Sequence, residues 1–97
     1  MKYKNLFKNN LFFNLSKEPS NSKSNYWLNT IFIFKSNIKL RDKIIYETNK
    51  MGVGIRPVWK LMHKIKYLSI YPKMNLENSI KAEKSLISLP SSPGLIR

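Results

Sequence analysis

Arg56, Trp59, Lys60 and His63 fall within one eight-residue stretch of the chain. These types could hold an anion, stack a ring and move a proton. Pro57 fixes its own φ and pushes Arg56 toward an extended backbone. That aims the guanidinium in a set direction, as a carboxylate or phosphate clamp requires. The plainer alternative is an exposed loop arginine, and spacing alone leaves both open. If residues 60–68 form a helix, Trp59 and His63 share a face at i, i+4, and Lys60 joins His63 at i, i+3. The plainer alternative here is a packed Trp beside a partly exposed His. His63 is the only histidine, so no metal-ligand partner is evident. Imidazole acid–base chemistry is open to it, but no neighbour in the sequence orients it. Asn25 and Tyr26 make a second candidate pair. They either reach a ligand or merely open a strand with Trp27.

Other chemistries are missing. Glu18, Asp42, Glu47, Glu77 and Glu83 are scattered, so no paired-carboxylate site is legible. Gly52-Val53-Gly54 is not a phosphate-binding fingerprint. There is no cysteine, which excludes disulfides and thiolate metal sites and suits a reducing cytoplasm, the expected location. A Schiff-base lysine must be desolvated and its cofactor ring held by an acid; no local motif marks one.

The formal net charge is +13, from 18 Lys and Arg against five acids. Taken alone, that suggests nucleic acid or an anionic surface. Most of the cations are Lys rather than Arg, and they are spread along the chain. Asn and Ile are abundant while Ala occurs once. Lys, Asn and Ile share A/T-rich codons, so genomic drift accounts for the charge. Nucleic acid is therefore not the expected partner. No run approaches the ~20 apolar residues of a membrane helix, and no membrane partner is expected. Lys8, Asn9 and Asn10 interrupt any signal-peptide core.

These residues need elements to position them. Ninety-seven residues make one small domain with little core to spare. Tyr3, Phe7 and Leu11 have helical spacing, and Phe12–Leu15 could be a short strand. Residues 16–24 read as a loop. Residues 26–34 read as a strand apolar on both faces, which needs cover on both sides. Ser36 or Asn37 can cap a helix carrying Leu40, Ile44, Ile45, Thr48 and Met51, with Gly52 as its left-handed stop. Residues 54–58 read as a short strand or an extended entry. Residues 60–68 read as a short helix and residues 69–75 as irregular. Asn75 caps a last helix to about Ser85, followed by the apolar stretch Leu86–Leu89 and Pro90. The fold class is α/β (α+β), a short sheet with flanking helices. Residues 1–25 are expected to be an irregular segment with room for a helix stub and a loop, and residues 26–97 to form the C-terminal small α/β subdomain.

Three stretches together carry a resemblance. Ser24-Asn-Tyr-Trp-Leu-Asn29, Ile55-Arg-Pro-Val-Trp-Lys-Leu-Met-His63 and Leu89-Pro-Ser-Ser-Pro93 resemble the C-terminal part of the DegT/DnrJ/StrS-type aminotransferases. The wording is most similar to the branch making bacillosamine-like and legionaminic-acid-like sugars. The resemblance runs from about Tyr3 to Gly94. It implies the small C-terminal domain of a fold-type I pyridoxal-phosphate enzyme that aminates keto-sugars on nucleotide carriers. Asn25, Tyr26, Arg56, Trp59, Lys60 and His63 would then line the substrate side of the cleft. Members of the family are several times longer, and their cofactor lysine lies in a domain not represented here. The resemblance therefore implies both ends cut, no cofactor bound by this chain alone and no transamination alone. It also implies a nucleotide-sugar and amino donor only after docking to a cofactor domain or forming a homodimer. Marginal stability or self-association follows. The alternative, a small basic nucleic-acid module, would use Tyr26, Trp27, Trp59 and Tyr67 as stacking platforms.

Overall fold

The computed structural model describes residues 2–34 and 37–92. Three helices and a four-stranded antiparallel sheet form the described part. They are α1 (Lys2–Leu6), β1 (Phe13–Leu15), β2 (Asn29–Ile33), α2 (Ile38–Lys50), β3 (Arg56–Pro57), α3 (Glu77–Ser85) and β4 (Leu86–Leu89). The sheet order is β1-β2-β4-β3. β4 is thus a central strand, although the sequence offers only four apolar-rich residues between a helix and a proline.

Register decides what each face carries. Leu15 lies opposite Ile31, Ile31 opposite Ile87, and Ile87 opposite Pro57. Directly opposed residues point to the same side of a sheet, so this row faces the core. Leu15, Ile31, Ile33, Ile55 and Ile87 are its buried centre, with Ile87 fully enclosed. Tyr3, Phe7, Phe13, Ile44, Ile45 and Leu89 pack around them. Tyr3, Phe7, Phe13 and Leu15, from α1, β1 and the link between them, thus pack into the same core as the later strands. The Phe7 and Phe13 rings meet edge to face at 6.2 Å, and the Tyr3 hydroxyl donates to the Pro90 carbonyl at 2.6 Å.

The other face carries Asn14, Phe32 and Leu86 in one row, and Thr30, Ser88 and Arg56 in the next. Phe32, Phe34, Leu28 and Phe12 are exposed. The core layer covers one side of β2, and its second apolar side stays open.

Local chemistry explains the helix ends. The Asn37 side chain accepts from the Lys39 and Leu40 N–H groups at 2.9 and 3.4 Å, a direct N-cap. Ser36, the other candidate cap, lies outside the described residues, as do Pro93 and Gly94 of the sequence signature. At the far end Gly52 takes φ 86°. Its N–H reaches the Asn49 carbonyl at 2.9 Å, and that of Val53 reaches Thr48 at 3.1 Å. This pairing closes a helix through a left-handed residue. The buried stripe of α2 is shifted from the expected one: Arg41, Ile44, Ile45 and Thr48 face inward, while Leu40 and Met51 are exposed. Asn75 accepts from the Glu77 N–H at 2.9 Å, one residue ahead of the Leu76 cap position.

Residues 60–68 are not a helix. Two 3-10 turns, Met62–Lys64 and Lys66–Leu68, are separated by extended Ile65. Lys, Leu and Met, good helix formers, fill most of this stretch, but Ile65 is extended at φ −80°, ψ 124° and neither turn's cap position supplies a side-chain hydrogen bond. The strand expected over residues 26–34 begins at Asn29, because Tyr26 takes a left-handed φ of 51°. No helix among the described residues is long and apolar enough to cross a membrane.

Candidate functional site

The Asn25–Tyr26 corner is built by short polar side chains. The Ser24 Oγ accepts from the Tyr26 N–H at 3.0 Å, and the Asn25 Oδ1 accepts from the Trp27 N–H at 3.1 Å. Buried Asn29 donates its amide to the Tyr26 carbonyl at 3.2 Å. Glu18 accepts from the Ser24 N–H at 2.6 Å. Such local bonds offer the backbone an alternative to the strand ladder, which explains the late start of β2. Tyr26 lines a shallow groove of about 270 Å³ with Ser16, Glu18, Ser24 and Thr30.

Arg56 stands on β3, exposed, opposite Ser88 on the open face of the sheet. Asn49 holds its approach by donating to the Ile45 and Ile55 carbonyls at 2.7 and 2.8 Å. Trp59 is 78% exposed and precedes the first 3-10 turn. The shared helical face expected for Trp59, Lys60 and His63 therefore does not form. Lys60 is exposed and His63 half-buried. His63 lines a groove of about 510 Å³ with Leu61, Met62, Leu68, Tyr71 and Lys73. Tyr26 and His63 thus occupy two different grooves. Asn25, Arg56, Trp59 and Lys60 line neither.

The most tightly built polar cluster is one that sequence reading missed. Glu83 is 9% exposed and lies on α3. It accepts from the Lys64 ammonium at 2.6 Å and from the Leu61 N–H at 3.3 Å. Buried Arg41 of α2 donates to the Glu83 backbone carbonyl at 2.5 Å, and its guanidinium also grips Asp42 through Nη2 at 2.7 Å and Nε at 3.0 Å. The Lys64 hydrogen bond holds the Glu83 carboxyl below its ordinary range, helped by the Leu61 N–H and by the Lys64 and Arg41 charges; burial pulls the other way. One carboxylate thus joins α3 to the 61–64 segment, while Arg41 joins α2 to α3. The only signal in the sequence is weak: Arg41 falls in phase with Ile44, Ile45 and Thr48.

Pyridoxal phosphate, the cofactor of the resembling family, needs a desolvated lysine and an acid for its ring nitrogen. Every lysine among the described residues is exposed. The one buried carboxylate among them, Glu83, is already engaged by Lys64. These residues do not fit the cofactor. Nor do the described residues contain a cluster of three or more His, Asp or Glu able to hold a metal.

No individual curated protein matches the chain. A family profile does, along its whole length: residues 1–97 match the DegT/DnrJ/EryC1/StrS aminotransferase family. With its mixed α/β architecture agreeing, the chain belongs to that aminotransferase family.

Proposed function

We propose that the chain is the C-terminal part of a pyridoxal-phosphate aminotransferase acting on nucleotide-linked keto-sugars, in the branch serving bacillosamine-like or legionaminic-acid-like amino-sugar and cell-surface polysaccharide synthesis in the cytoplasm. Family membership carries the reading, and members of the family depend on pyridoxal phosphate. The chain's own share is structural and substrate-facing. Asn25, Tyr26, Arg56, Trp59, Lys60 and His63 contribute to one wall of a cleft that a lysine-bearing domain completes. The open apolar side of β2, with Phe32 and Phe34, is where that domain gives cover. The chain binds no cofactor and transfers no amino group alone, because no described lysine is desolvated.

The test is reconstitution. The purified chain, given pyridoxal phosphate, glutamate and a nucleotide-linked 4-keto-sugar, should give no amino-sugar. Co-expressed with a cofactor domain encoded beside it, it should give turnover that Arg56→Ala reduces. Turnover by the chain alone would refute the reading.

A further inference from the structure

His63 sits on the 3-10 turn Met62–Lys64, and that turn has no cap of its own, since Leu61 at the cap position makes no side-chain hydrogen bond. The first N–H groups of such a turn need partners from elsewhere. Glu83 of α3 supplies one. Its Oε2 accepts from the Leu61 N–H at 3.3 Å, and its Oε1 from the Lys64 ammonium at 2.6 Å. The two bonds land on either side of His63. Among the described residues they are the hydrogen bonds that tie residues 59–74 to the rest of the fold. Glu83 is itself held from a third element, because buried Arg41 of α2 donates to its backbone carbonyl. The His63 imidazole enters no hydrogen bond of its own among the described residues, so the backbone that carries it sets its direction. That direction is toward α3: His63 lines one groove with Leu76 and Ser79, and a second with Leu76 and Ile80.

We propose that Glu83 is a positioning residue, which clamps the turn on both sides of His63 and so holds the imidazole against the start of α3, on the wall the two grooves share. A group that moves a proton or binds a reacting molecule must be kept within hydrogen-bond reach of it, and supporting contacts behind the group do the keeping. A carboxylate suits that task here, because bonds to charged groups are shorter and stronger than neutral ones. What His63 does once held rests on the aminotransferase reading; where it is held does not. A role in stability alone differs in its consequence. It requires that any substitution of equal cost disturb His63 equally, whereas the clamp requires that His63 respond to Glu83 and Lys64 in particular.

His63 is the only histidine, so its ring C–H signals are unambiguous in a proton NMR spectrum of the full chain. Cross-relaxation should connect them to Leu76, and the Phe7–Phe13 ring contact reports the core as an internal control. Lys64→Met should erase the His63–Leu76 contact and keep the Phe7–Phe13 contact; Lys64 is partly exposed, so the chain should stay folded. Lys64→Arg, which keeps a cation for the carboxylate, should restore the His63–Leu76 contact. Glu83→Gln keeps an acceptor for Leu61 but no charge for Lys64, and should weaken it. Ile87→Val, which acts through the core, should leave it in place. A His63–Leu76 contact unchanged in folded Lys64→Met and Glu83→Gln would overturn the proposal, as would its absence in the native chain. Equal loss in Ile87→Val would reduce Glu83 to general support and overturn it too. In the complex co-expressed with a cofactor domain, Lys64→Met should lower turnover at saturating substrate and Lys64→Arg should restore it. A native complex without turnover would count against the aminotransferase reading, while the NMR contacts decide the positioning by themselves.

Discussion

Glu83 is the residue on which the polar architecture turns. It is buried, yet its carboxylate holds a lysine and a backbone N–H from a different segment. Removing one partner of such a pair strands the other. Because Lys64 keeps partial contact with water, Glu83→Ala should cost about 1–3 kcal/mol rather than the full value for a deeply buried pair. Urea unfolding checks this, and Lys64→Ala should cost less. The pH dependence has a definite sign. A carboxyl with a lower pKa folded than unfolded leaves the unfolded state binding more protons, so stability rises with pH. The Glu83 contribution is complete at neutral pH. It fades as pH drops below the ordinary value of 4.5 and through the lower folded value. A pH series of unfolding midpoints should show that loss in the native chain and not in Glu83→Gln.

At the scale of elements, α2 was legible because its signals are local. Asn37 caps it and Gly52 ends it, as their positions in the sequence imply. Asn37→Ala should cost about 1 kcal/mol through loss of the cap. Gly52→Ala should cost about 1–2 kcal/mol, since a Cβ there meets no neighbouring atom and the penalty is the left-handed backbone itself. Thermal unfolding of the two variants checks both figures. β4 was not legible as a central strand. Four residues cannot announce their neighbours, and its position depends on long-range pairing with both β2 and β3. The 60–68 stretch reads as a helix following the Pro57 corner, and its Lys, Leu and Met are good helix formers; the extended Ile65 that splits it into two turns leaves no mark in the sequence. The Arg41–Glu83–Lys64 cluster was hidden for a further reason. Its members come from α2, α3 and a turn, and charged residues in a chain so rich in lysine draw no notice.

For the whole molecule, the core is small and one-sided. Ile87 is its only fully enclosed large side chain among the described residues. Ile87→Ala should therefore cost about 2–5 kcal/mol, a large share of the ~5–15 kcal/mol that ordinarily holds a domain folded. The two-faced character of β2 was readable from its sequence, and the sheet leaves Phe32 and Phe34 exposed as that pattern implied. The six candidate site residues were brought less close together than the sequence suggested. Tyr26 and His63 line separate grooves, and Arg56 lies on the open face of the sheet. The most direct measurement is a pyridoxal phosphate titration of the purified chain, read by visible absorption. The account predicts no saturable band of lysine-bound cofactor. A stoichiometric band abolished by replacing a single lysine would contradict it.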